Sequence, residues 1–282
     1  MNGTSRDRFR GLGRSAGVYV AAMALAAFVL GPLAWMLLTA LKPKDEIFTS
    51  PPTWWPSRLS LDNFATALTG DFALSFANSA VVCVAAMVAC MVLALLACYP
   101  LSRPGFRGGP SVLGGVLVAQ LLPYIVLLVP IYRMAREVGM LNTRWGLAVV
   151  LLAINLPVGI WLLRGFLAAV PMSLEEAART DGMTQFRAYW QVTVPLAAPG
   201  VLAVAVWVFF TTWQEFIFAL VFLTDPALST APLALLGFIG QHSVNWGVLM
   251  AASTIMMIPV LVLFYFVQRS FVGGLTNGAV KG

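Results

Sequence analysis

The stretch Glu175–Gly200 reads EEAARTDGMTQFRAYWQVTVPLAAPG. It carries two adjacent glutamates, Arg179, Asp181 and Arg187 in a chain of 282 residues that is 60% hydrophobic and only 10% charged. Very apolar runs lie on either side of it. Pro171 ends the first of them. Ser173, three residues before Glu176, fits a capping box, in which the hydroxyl accepts a first-turn amide and the glutamate reaches back. LEEAARTD then reads as a short helix with Glu175 and Glu176 near its positive N-terminal end. Gly182 follows at a C-terminal capping position, where glycine takes φ > 0 at no steric cost. Thr184 can cap a second short helix through QFRAYWQV, and Pro195 closes it. The pattern is helix, glycine turn, helix, with Leu174, Ala177 and Ala178 as a small apolar face. These features alone leave two readings open: an interfacial hairpin that stabilises a bundle, or a docking element for another protein.

Working outward, the composition names the solvent. A soluble domain carries about 25% charged residues, and this chain falls far short, with a mean hydropathy of +0.87. Runs of the ~20 apolar residues that a bilayer crossing needs occur near 18–41, 72–99, 112–134, 146–169, 197–224 and 247–268. Period-two alternation is weak, which argues against a transmembrane β-barrel. Helices then remain as the structure that satisfies every backbone group in hydrocarbon. The expectation is an all-α integral membrane protein with six transmembrane helices. The first run follows Arg6, Arg8, Arg10 and Arg14, but it is too long for a signal-peptide core and is read as an uncleaved span.

Net charge is +6 and the isoelectric point about 9.6. Six spans place the N-terminus, 100–111, 170–196 and the C-terminus on one side. With Arg164 and Arg269 at their helix ends, that side has 11 Lys+Arg against 4 Asp+Glu; the other has 6 against 7. The positive-inside rule makes both termini cytoplasmic. The basic excess is thus a topology signal, and no nucleic-acid partner is expected. The chain is read as a basic tail over 1–17, a transmembrane domain over 18–270 with the charged loop at about 171–195, and a C-terminal tail over 271–282.

Cys83, Cys90 and Cys98 share the second run without any zinc spacing, and read as small apolar thiols. His242, the sole histidine, has no companion ligands, so no metal site is expected. Trp54 and Trp55, in the proline-rich loop 42–71, suit a membrane interface. Pro123, Pro130 and Pro259 lie inside spans, where such kinks are tolerated.

The letters of the charged island narrow the choice. Glu176-Ala177-Ala178, three residues, Gly182, nine residues, then Val192-x-Val194-Pro195 resembles the EAA signature of ATP-binding-cassette importer permeases. Valines stand where the family has isoleucine and leucine. PPTWWPSRLSLDNF, GMLNTRWGL, WQEFIFALVFL and the C-terminal segment through FVGGLTNGAVKG extend the resemblance over nearly the whole chain. They look like the maltose-type carbohydrate permeases, and more narrowly like the second permease of a heterodimeric pair. The glycines of that tail permit an extended, closely packed strand.

The resemblance implies the type I importer permease fold. It implies that Glu176, Ala177, Ala178, Asp181, Gly182 and Pro195 belong to a coupling loop seated in a cytoplasmic ATPase. It implies a second permease subunit, two ATPase copies, an extracytoplasmic sugar-binding protein or lipoprotein, and a multi-pass location in the cell membrane among its lipids. The chain has no GxxxxGK[ST] phosphate loop. It is therefore expected not to be an enzyme and to bind no cofactor, with ATP and Mg held by the partner ATPase.

Polar groups inside spans are costly and usually face the bundle interior. Gln120 with Tyr124, Asn155, and Trp207, Thr211, Gln214 and Glu215 are therefore the candidates for a translocation path. Trp207, Thr211 and Glu215 recur every four residues on one helix face, joining an aromatic ring to hydrogen-bonding groups as sugar sites do. Glu215 also lies toward the outer end of the fifth run, where water would meet it. The loop 225–246 resembles the one that meets the binding protein.

Rival classes lack their signatures. A secondary transporter wants several buried ionisable groups and inverted repeats. An intramembrane hydrolase wants a nucleophile beside a base. A membrane scaffold leaves the EAA spacing unexplained. Importer permeases for sugar phosphates, polyols or polyamines are the nearest alternatives.

Overall fold

The computed structural model describes residues 4–103, 106, 108–240 and 244–279, with side chains within 17–268. His242 and residues 280–282 lie outside the described residues, as do the side chains of Arg6, Arg8, Arg10, Arg14 and Arg269. The helices run in the order α1 (Thr4–Ala40), α2 (Asp62–Thr69), α3 (Asp71–Leu101), α4 (Gly109–Leu121), α5 (Leu128–Glu137), α6 (Arg144–Ala168), α7 (Met172–Thr180), α8 (Gln185–Ala188), α9 (Val194–Leu196), α10 (Ala198–Trp213), α11 (Ile217–Phe222), α12 (Ala231–Ala234) and α13 (Trp246–Ala279). No strand occurs among the described residues.

Among the described residues, four helices are long and apolar enough to cross a membrane: Gly17–Ala40, Asp71–Leu101, Arg144–Ala168 and Trp246–Gln268. The number is up to six if each of two bent pairs is one span. These are Gly109–Leu121 with Tyr124–Glu137, bent by 89°, and Gln185–Leu196 with Ala198–Trp213, bent by 77°. The third apolar run is therefore not one straight helix. Leu122 is extended, with ψ 124°, because the ring of Pro123 bars the helical region to the residue before it. The fifth run is corrected too. α10 ends at Trp213, and the carboxylate of Glu215 accepts the amides of Phe218 at 2.7 Å and Ala219 at 3.1 Å, capping a new helix, α11. The C-terminal segment differs from the extended path that its glycines permit. α13 continues through them to Ala279.

The chain falls into two compact units, Met1–Thr69 with Phe238–Ile255, and Gly70–Gly237 with Met256–Gly282. In the first, Asn63 is fully buried and donates to the carbonyls of Ala40 and Lys42, both at 2.9 Å, closing the end of α1. Trp35 meets Trp54 edge-on at 5.3 Å, and Trp54 and Trp55 keep most of their surface exposed.

In the second unit α3 and α6 form the core. Cys90, Ala94 and Cys98 recur every four residues on one face of α3 and are fully buried against Ile160, Leu163 and Leu167 of α6. Small residues at that spacing let two backbones approach closely without a hydrophobic driving force from lipid. The cysteines are free. Two of them also tie helices together: Cys98 Sγ donates to Ile160 O at 3.4 Å, and Cys83 Sγ to Phe209 O at 3.2 Å. A second cluster joins Val82 and Ala86 to Leu147, Leu151, Phe218 and Phe222.

Candidate functional site

The charged island forms the expected hairpin with a different start. α7 begins at Met172 with Pro171 as its cap and no side-chain capping bond. The capping box at Ser173 and Glu176 is thus corrected: proline's fixed φ already suits a helix start, so the helix begins two residues early and Ser173 falls inside it. The turn is as expected. Gly182 takes φ +91°. Its amide reaches Arg179 O at 3.0 Å and the amide of Met183 reaches Ala178 O at 3.1 Å. Those two bonds are the 5→2 and 6→1 pair of a Schellman motif. Thr184 accepts from Arg187 N at 3.3 Å and starts α8.

Pro195 does not close the second helix. The chain widens into a π-turn over Tyr189–Thr193, passes through Val194–Leu196 and bends only at Ala197. Proline cannot donate to the carbonyl four residues back, and a π-turn just before it is one way to absorb that loss.

The faces of α7 also differ from the sequence reading. Glu176, Ala177, Asp181 and Gly182 are exposed, as are Leu174 and Pro195. Ala178 is buried, and beside it Glu175 is only 2% exposed. Glu175 pairs with Arg103, and the two accompany Thr193 and Tyr189. Of these four the sequence reading named only Glu175, as a charge near the helix start, and gave none of them a place in the site. Glu175 and Ala178 are one turn apart on one face, which was a legible signal. The arginine, 72 residues away, was not. Under the hairpin Tyr99, Phe186, Tyr189 and Trp190 pack edge to face, with Tyr99 5.1 Å from Tyr189 and 5.4 Å from Phe186.

A cavity of about 520 Å³ opens elsewhere in the same unit. All seven polar or aromatic candidates for a translocation path line it: Gln120, Tyr124, Asn155, Trp207, Thr211, Gln214 and Glu215, with Leu151, Ile154, Val158 and Phe216–Phe218 as its apolar wall. Thr211 Oγ1 lies 2.7 Å from Asn155 Oδ1 and 3.0 Å from the carbonyls of Trp207 and Val208. Its single proton serves one of them at a time. Asn155 is buried and donates to Leu151 O at 2.7 Å. The amides of Gln120 and Gln214 are exposed. Glu215 is committed to the amides of α11, so its carboxylate is a structural cap as well as a wall of the cavity. No lining side chain is basic. Such a cavity offers neutral hydrogen-bonding groups, one carboxylate and one indole face.

The sequence model of one family, described as "Binding-protein-dependent transport system inner membrane component", matches residues 91–276. The diacetylchitobiose uptake system permease protein DasC of Streptomyces coelicolor is 39% identical over 264 residues, covering 93% of this chain and 96% of that protein. The trehalose transport system permease protein SugB of Mycobacterium tuberculosis is 33% identical over 261 residues, covering 92% and 94%. A chain from the crystal structure of a bacterial ABC transporter involved in the import of the acidic polysaccharide alginate superposes with a TM-score of 0.80 at 21% identity, over 95% of this chain and 99% of that one. A second alginate transporter structure, in complex with a periplasmic protein bound to alginate pentasaccharide, gives 0.67 at 14% identity, over 94% and 96%. These structural matches show a shared fold. On the family match and the long alignments with its relatives, the chain belongs to the binding-protein-dependent transport system inner membrane components.

Proposed function

We propose that this chain is the permease subunit of an ABC sugar importer, supplying half of the path through the membrane. The α7–Gly182–α8 hairpin is its coupling element, seated through Glu176, Ala177 and Asp181 on a separate cytoplasmic ATPase that binds ATP and Mg. A second permease subunit, two ATPase copies and an extracytoplasmic binding protein complete the assembly. Six spans with both termini in the cytoplasm are part of the same reading. The observation that carries it is the hairpin: a hydrogen-bonded glycine turn whose charged face is left exposed while its other face is held to the core through Glu175. The sugar assignment is supported by relatives named for diacetylchitobiose, trehalose and sulfoquinovosyl glycerol, and by a cavity lined with hydrogen-bonding groups and an indole face, with no basic side chain. Capture of the chain from its membrane in mild detergent tests the assembly. A second permease and an ATPase with a phosphate loop should come with it; a chain that comes out alone contradicts the reading.

The cavity supplies a second test. Trp207→Ala removes the indole face and should raise the half-saturating sugar concentration for uptake about tenfold, equivalent to ~1.4 kcal/mol of lost contact. Glu215→Ala removes a helix cap worth about 1 kcal/mol, so it should lower thermal stability in detergent as well as uptake. Unchanged affinity and rate in both variants would make the stripe structural. The C-terminal segment gives a third. Deleting residues 274–282 should lower ATP hydrolysis per assembled complex if the tail reaches the ATPase pair, and hydrolysis equal to the parent would show a frayed end.

A further inference from the structure

Arg103 and Glu175 form an ion pair away from water, their side chains 8% and 3% exposed. Arg103 lies two residues beyond α3, and Glu175 lies in the first turn of α7. Arg103 Nη2 donates to Glu175 Oε2 and also, at 2.8 Å, to Thr193 Oγ1. Thr193 gives its own proton to the same carboxylate oxygen at 2.9 Å. Thr193 ends the π-turn that leads toward α10. The guanidinium carbon sits 5.7 Å from the ring centre of Tyr189, which is fully buried and donates to Leu95 O of α3 at 2.8 Å. The end of α3, the coupling hairpin and the approach to α10 therefore meet in one closed triangle of charge-assisted bonds.

Burying such a pair is a poor way to gain stability, because both charges lose their hydration and apolar replacements are often as stable. What charge-assisted bonds do offer is fixed geometry, since they are directional and do not slide as apolar contacts can. The exposed face of α7 carries the proposed docking residues, and the buried face carries Glu175. We propose that Arg103, Glu175 and Thr193 are positioning residues that fasten the hairpin to α3 and α10, so that displacement of its exposed face reaches both spans instead of being absorbed by the turns at 169–171 and 181–184. The proposal rests on the reading of α7 as the coupling element. The same fastening would also carry a shift of α3 and α10, set off by a docked binding protein, back to the hairpin and the ATPase beneath it.

The test uses the whole complex in liposomes, captured with its ATPase and binding protein. The readout is the factor by which the binding protein raises ATP hydrolysis, per assembled complex. Glu175→Gln, Arg103→Gln, the double variant and Thr193→Val are compared with the parent. The factor should fall to about one in each charge variant and at least several-fold in Thr193→Val, with recovery in Thr193→Ser. ATPase capture should stay within about twofold of the parent. A single variant that leaves one buried charge unpaired can fail to fold; the double variant leaves none, and Thr193→Val removes only a hydroxyl. If assembled double and Thr193→Val complexes keep the parent's factor, the triangle only supports the fold and the proposal is overturned. If the parent captures no ATPase, the reading of α7 has failed instead.

Discussion

Gly182→Asp should leave the chain in the membrane and reduce ATP-driven uptake more than tenfold. The reason is backbone geometry. At φ +91° an L side chain is strained, and a left-handed residue other than glycine costs about 1–2 kcal/mol. Among the described residues, no atom beyond the glycine and its two chain neighbours lies within 4 Å of where a Cβ would stand, so crowding is not the cause. The turn is one link between α7 and α8, held by the amides of Gly182 and Met183. About 2 kcal/mol against it shifts the formed turn by roughly 30-fold. Aspartate also sets a second carboxylate beside Asp181, on the face proposed to dock. Gly182→Asn tests the division between strain and charge, because asparagine tolerates left-handed backbone better than most residues. It should keep more transport than Gly182→Asp. Uptake measured against the amount of protein in the membrane decides, and parental rates in Gly182→Asp would remove the hairpin from the mechanism.

Gly200→Val should be the most damaging packing change. A Cβ at Gly200 would lie 2.2 Å from Phe166 Cγ and 2.5 Å from Phe166 Cβ. Those atoms are the root of the side chain, so rotating the far end of the ring does not clear them. Gly200 is buried where α10 begins, just after the 77° bend. Overpacking of this kind costs about 1–3 kcal/mol or more, and it would push α10 away from α6. The expected result is a lower melting temperature in detergent and a smaller folded yield. Phe166→Ala in the same chain should recover only part of both, since it removes Cγ but leaves the Cβ that stands 2.5 Å away, and the two positions share one space, so their effects cannot add. If Gly200→Val melts with the parent, α10 does not approach α6 so closely.

Hydropathy located the straight spans well because length and composition decide them. The runs read at 72–99 and 146–169 are α3, Asp71–Leu101, and α6, Arg144–Ala168. Hydropathy is blind to direction: Pro123 and Pro130 marked the run at 112–134 for a kink, but not for a turn as sharp as 89°. The run at 197–224 likewise hid a carboxylate that ends one helix by capping the next. The seven cavity residues could be grouped from sequence because lipid drives polar groups inward. The hairpin turn could be read because a glycine at its position has a geometric cause. Its start was misread because Ser173 and Glu176 offered a local pattern that Pro171 pre-empted. Of the two adjacent glutamates, the sequence drew attention to Glu176, which is exposed. The buried one is Glu175, and its partner Arg103 is distant in sequence, so only the fold brings them together.

The most direct measurement is uptake of labelled sugars, diacetylchitobiose and trehalose among them, by liposomes holding the captured complex, with the binding protein outside and ATP or a non-hydrolysable analogue sealed inside. Accumulation is expected with ATP and the binding protein together, and none when either is left out. Uptake that proceeds without ATP and follows an ion gradient would contradict it, and the hairpin would then be a structural feature of a different kind of transporter.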